Sequence, residues 1–128
     1  IKLVVAVFRR KLSLFVEAHF AEQDRVRFSV RANFFGLQSK GVRSIRGLGA
    51  LVLTREQLWF RRALPEADYV VPVSDITGVS TPRSFNGKSV MARLLCVHYR
   101  TAGDSDAMAW AVNDPDGWKT AIESIISS

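Results

Sequence analysis

The sequence predicts a mainly β domain. Seven antiparallel strands are expected to roll into a partly open barrel, capped by a C-terminal α-helix and preceded by an N-terminal helix. Three observations carry this expectation. Apolar residues recur at every second position in short runs between the two chain ends, the period of half-buried strands. Turn residues punctuate those runs, Asn86-Gly87 most plainly, because both tolerate positive φ. Beyond Asp114-Pro115 the spacing turns helical, with Trp118, Ala121, Ile122, Ile125 and Ile126 forming one apolar stripe.

Composition sets the outer limits. A chain of 128 residues suits one domain with one core, and 48% hydrophobic with 23% charged residues excludes disordered and fibrous classes. Cys96 is the single cysteine, so no internal disulfide is available. The net charge of +6 is uneven: residues 1–62 hold 13 Lys/Arg against 4 Asp/Glu (+9), and residues 63–128 hold 5 against 8 (−3). The front half should therefore be drawn to polyanions such as anionic lipid, nucleic acid or an acidic protein.

The elements follow in order. Residues 1–21 read as an N-terminal helix and a membrane-proximal segment, and residues 22–128 as the β domain. The run IKLVVAVF closed by Arg9, Arg10 and Lys11 matches the pattern that places cations at a cytoplasmic membrane boundary. Eight residues fall short of the roughly 20 a span needs. Two readings stay open: the stub of a transmembrane helix, or an amphipathic helix capping the domain through Val5, Phe8, Leu12, Phe15, Val16 and His19.

RVRFSVRANFF then alternates, with Val26, Phe28 and Val30 opposite Arg25, Arg27, Ser29 and Arg31, so a first strand with one basic face is expected. GALVLTREQLWF places Leu51 and Leu53 before, and Leu58 and Phe60 after, four polar residues, a hairpin pattern. LPEAD reads as loop and YVVPV as a fourth strand, with Pro72 at an edge or strand end. DITGVSTPRSF begins a fifth strand, SVMARLLCVHYR forms a sixth and AMAWAV a seventh. Trp59 alternates away from Leu58 and Phe60 and so faces outward, against the N-terminal helix. Asp114 caps the final helix, with Pro115 at its first position.

Strands in hairpins closed by one amphipathic helix resemble the pleckstrin homology-like (PH-like) superfold. GALVLTREQLWF with VVPVSDITGV is similar to GRAM and related bacterial PH-like domains. Gly49, Leu51, Leu53, Thr54, Leu58, Phe60, Val73, Ile76 and Val79 carry the likeness. It implies apolar residues of the hairpin on the barrel interior. It also implies anion-binding candidates, Lys40, Arg43 and Arg46, around the connection between the first two strands, where inositide-binding members hold a head group. Arg43 and Arg46 stand three apart and so face opposite sides of a continuous strand, which favours diffuse attraction over specific head-group capture.

Catalytic patterns are weak. Cys96 and His98 are two apart, but no further ligand is apparent in the sequence to complete a zinc site. Gly87-Lys88-Ser89 lacks the upstream glycine of a phosphate loop, the position being Pro82, and Gly47-Leu48-Gly49 leads into a strand without a third glycine. Asp104, Asp106, Asp114 and Asp116 read as turn and cap residues rather than calcium ligands. The expectation is a non-enzymatic PH-like adaptor or regulatory domain without metal or cofactor, at the cytoplasmic face of a membrane. Its partners would be a protein, an anionic lipid surface through Arg9, Arg10 and Lys11, or both. Nucleic acid is not the expected partner. The alternatives are a barrel enclosing a lipid or other apolar molecule within Phe28, Phe60 and Trp110, and a basic nucleic-acid-binding module.

Overall fold

A computed structural model describes residues 2–128. Helix α1 (Lys2–His19) leads into strands β1 (Arg27–Leu37), β2 (Gly47–Leu53), β3 (Gln57–Ala63), β4 (Glu66–Pro72) and β5 (Ile76–Ser80). A two-residue-strand hairpin, β6 (Ser84–Phe85) and β7 (Lys88–Ser89), precedes β8 (Leu95–Thr101), β9 (Asp104–Ala111) and helix α2 (Pro115–Ile126). The seven long strands form one antiparallel sheet in the order β4-β3-β2-β1-β9-β8-β5. It curls but does not close, and β4 and β5 remain its two edges.

The β2–β3 hairpin shows how sequence becomes register. Leu51 pairs with Phe60 and Leu53 with Leu58, and all four are buried on the concave face. Thr54 closes the turn: its backbone N–H donates to the Gln57 carbonyl at 2.9 Å, and its Oγ1 accepts from the Glu56 and Gln57 amides. That arrangement satisfies turn amides which a buried hairpin end would otherwise leave unpaired.

The concave face is filled by Phe34, Phe60, Trp110, Trp118 and Ile122, none more than 1% exposed. Helix α2 supplies Trp118 and Ile122, so burial of its stripe closes the open side of the sheet. Asp114 caps it, accepting from the Gly117 amide. Ile126, expected in the stripe, is instead 40% exposed at the helix end.

Two smaller clusters cover the convex face. Leu12 and Val16 of α1 pack with Ala50, Val52 and Trp59, which places Trp59 beneath the N-terminal helix as its alternation requires. Phe85, from the short hairpin, packs with Phe35, Leu94, Cys96, Ala107 and Ala109. The Asn86 side-chain amide docks that hairpin by donating to the Leu37 carbonyl at 3.0 Å, while Asn86 and Gly87 take the positive φ values their turn demands.

Three expectations need correction. Between Ser29 and Ala32 the β1–β2 pairing shifts by one residue, a bulge that inverts the facing of everything before it. Arg27 therefore lies over Trp118 and bonds Asp114 on the concave side. Phe28 points outward and is 43% exposed, so it does not share a wall with Phe60 and Trp110. Residues 66–68, expected as loop, belong to β4, because Ala63 pairs with Glu66 across a two-residue turn and Arg61 pairs with Asp68. The sixth long strand starts at Leu95, since residues 84–89 form the separate short hairpin.

Candidate lipid and anion surface

Helix α1 is basic in its middle because Arg9, Arg10 and Lys11 follow one another, and helical geometry fans them over about 200°. Arg9 turns toward the domain and is half-buried, with its Nε out of solvent and unpartnered. Arg10 and Lys11 are exposed. Among the described residues neither enters an ion pair, whereas Asp68, Asp114, Asp116, Glu66 and Glu123 all do. The three cations thus remain on one helix but present only two free charges to solvent.

The helix is held by aromatic packing. Phe15 stacks on Trp59 with ring centres 5.4 Å apart, and His19 stacks on Phe15 at 3.8 Å. Val5 and Phe8 are half-buried, Leu12 and Val16 fully so, while His19 stays exposed. The capping face anticipated from spacing therefore narrows to Leu12, Phe15 and Val16. Between α1 and the β3–β4 end runs an apolar groove of about 340 Å³, lined by Phe8, Leu14, Phe15, Ala18 and Ala63, with Lys11 on its rim.

The second group of cations sits in the β1–β2 connection, which is a pair of 3-10 turns rather than extended strand. Lys40 and Arg43 border one shallow, open depression with Ser39 and Gly41. Arg46 is drawn away to stack over Phe35, 5.8 Å from its centre. Lys40 and Arg43 thus border one depression and Arg46 does not join them, though the cause is the turn and the Phe35 contact rather than the alternation of a continuous strand. Asp106 anchors the loop, accepting from the Ser39 amide at 2.9 Å and its hydroxyl at 2.6 Å.

Arg62 is the organising residue that the sequence does not reveal, because nothing distinguishes it from its neighbour Arg61 except strand phase. Only 5% exposed, it donates to the Pro65 carbonyl (2.7 Å), the Ile45 carbonyl (2.9 Å) and the Tyr69 hydroxyl (3.0 Å). One guanidinium fork therefore ties the β3–β4 turn to the β1–β2 connection.

The Cys96–His98 pair lies on β8. Cys96 is buried, which pushes its thiol pKa up, away from a reactive thiolate. His98 Nε2 lies 3.2 Å from Ser80 Oγ and 3.6 Å from Cys96 Sγ. Asp104 and Asp106 accept from strand amides, Asp114 caps α2 and Asp116 pairs with Arg93. No described helix is long and apolar enough to cross a membrane.

No family model and no curated protein matches this chain. Among solved structures it is similar to the C-terminal domain of an unknown protein from Leishmania infantum. That domain is 15% identical, with a TM-score of 0.55, and the match covers 98% of this chain and 99% of that one. The likeness is one of fold.

Proposed function

We propose that the chain is a non-enzymatic PH-like adaptor or regulatory domain stationed at the cytoplasmic face of a membrane. It would offer a rigid surface to a protein partner while its basic helix rests against anionic lipid. The PH-like assignment draws support from the strand order β4-β3-β2-β1-β9-β8-β5 followed by a helix packed on the concave side. The lipid contact rests on one observation: Arg10 and Lys11 are exposed cations outside every ion pair of the described residues. Lys40 and Arg43 add a second, more diffuse site of attraction, each basic residue near an anionic leaflet contributing about 1 kcal/mol.

The test is co-sedimentation of the chain with vesicles. Binding is expected on phosphatidylglycerol-containing vesicles, weaker on neutral ones, and falling as salt screens the charges. Changing Arg9, Arg10 and Lys11 together to glutamine should remove most of it. Equal binding by parent and substituted chains, to anionic and neutral vesicles alike, refutes the lipid contact.

A further inference from the structure

Helix α1 carries a second apolar face that joins none of the core clusters of the described residues. Leu12 and Val16 are consumed by the sheet, yet on the opposite side Leu3 is 78%, Val7 57% and Leu14 55% exposed. These three stand at i, i+4 and i+11, which aligns them along one edge of a helix for roughly 17 Å. On the helical wheel Arg10, with the exposed Glu17 about 20° further out, falls on one flank of this stripe and Lys11 on the other, leaving a net positive rim. The stripe also runs into the groove beside β3, because Leu14 and Lys11 line both.

We propose that this outer face of α1 lies in the plane of an anionic bilayer interface. Leu3, Val7 and Leu14 would sink below the head groups, and Arg10 and Lys11 would reach sideways to phosphates. The inference rests on the membrane reading above and adds to it an apolar, salt-resistant contact with named residues. Charge decides the occupant. A second copy of the helix, in either direction, would bring Arg10 and Lys11 near the same cations of its partner in the middle of the seam, a like-charge cost. An anionic surface meets those same cations favourably, and long basic side chains beside an apolar stripe suit an interfacial depth.

The experiment compares three chains on phosphatidylglycerol vesicles at low and high salt: the parent, Val7→Gln/Leu14→Gln, and Arg10→Gln/Lys11→Gln. All four positions are exposed or flank the exposed face, so thermal unfolding should be unchanged and serves as the control. Val7→Gln/Leu14→Gln is expected to lower partitioning at least roughly tenfold at both salt concentrations. Arg10→Gln/Lys11→Gln should lower it by a similar factor at low salt only. A polarity-sensitive dye attached at Leu14→Cys, with buried Cys96 spared, should shift to the blue on anionic vesicles. If the parent ignores anionic vesicles, the membrane reading itself fails. If the parent binds but Val7→Gln/Leu14→Gln binds equally, or the dye does not shift, the charges act alone and the apolar insertion is wrong. A parent dimer that Val7→Gln/Leu14→Gln dissolves would assign the stripe to a second copy and overturn the proposal.

Discussion

The guanidinium of Arg61 lies 3.5 Å from the centre of the Phe15 ring while its Nε donates to Asp68 at 2.7 Å. This single side chain joins the N-terminal helix to the third and fourth strands: the carboxylate fixes the fork, and the fixed fork presents its cation to the ring. The charge is held firmly, since hydrogen bonding to Asp68 raises the Arg61 pKa against the opposing effect of burial. Docking of α1 is therefore partly electrostatic.

Removing the ring tests that docking. Phe15→Ala deletes the stack on Trp59 and the contact with Arg61 and should cost about 2 kcal/mol. The Trp59 environment should become wetter and the segment between α1 and β1 more open to protease. A substituted chain with unchanged midpoint and unchanged tryptophan emission would show that Leu12 and Val16 hold the helix unaided.

Arg62 makes a sharper case, because its three acceptors lose the same buried donor together. Arg62→Met keeps the volume and removes the fork, and should destabilise by roughly 2–4 kcal/mol. Arg62→Lys should recover part of this. Hydrogen exchange in residues 44–47 and 64–66 should speed up beyond the global change. Uniform exchange across the sheet would count against a local tie.

Gly49 is required by close approach rather than by its φ. A Cβ there would stand 2.1 Å from the Arg61 carbonyl oxygen and 2.6 Å from the Phe60 ring. Backbone cannot yield as a flexible side chain does, so Gly49→Ala should cost about 3 kcal/mol or prevent folding. A soluble variant within roughly 0.5 kcal/mol of the parent would show that the strands separate more easily than their packing implies.

Alkaline pH gives the fourth prediction. Burial, then the charge and hydrogen bond of Asp106, push the Tyr99 phenol up to about 12. The unfolded side chain ionises near 10. With the folded value the higher, this group's contribution is intact below about pH 10 and is lost as pH climbs toward about 12, because the unfolded chain releases its proton first. Denaturation midpoints measured across that window should fall less steeply for Tyr99→Phe than for the parent. Parallel curves would place the alkaline loss elsewhere.

The sheet was legible wherever one face is buried. Leu51, Leu53, Leu58 and Phe60 alternate because the concave core takes all four, and a one-residue slip would turn every one of them to the face that α1 covers. Trp59 could be assigned outward by the same alternation, and its cover named, because an amphipathic helix stood free at the N-terminus. The first strand departs from its pattern for a converse reason. Its alternation of arginine with Val26, Phe28 and Val30 is real, but a bulge after Ser29 inverts which side is inner, and no residue between Ser29 and Ala32 marks an extra position. The turn of the short hairpin is legible in Asn86-Gly87, but its separation from the strands on either side is not, since Phe85 is covered partly by Phe35, Ala107 and Ala109, distant in sequence.

The candidate surface divides along the same line. The succession Arg9, Arg10, Lys11 is visible as written, and so is the separation of Arg43 from Arg46. Which cation is spent inside the fold is not visible: Arg9 is half-buried, Arg46 stacks on Phe35, and Arg62 braces two loops.

The amino-acid order by itself determined the mainly β class, the register of the β2–β3 hairpin and the capped final helix, because each depends on hydrophobic period and turn chemistry among near neighbours. Only the tertiary structure decided that β1 carries a bulge, that Arg27 reaches Asp114 across 87 residues, and that Leu3, Val7 and Leu14 of α1 stay exposed. Those outcomes depend on which distant surfaces meet. A local pattern states that a side chain needs cover without stating what will supply it.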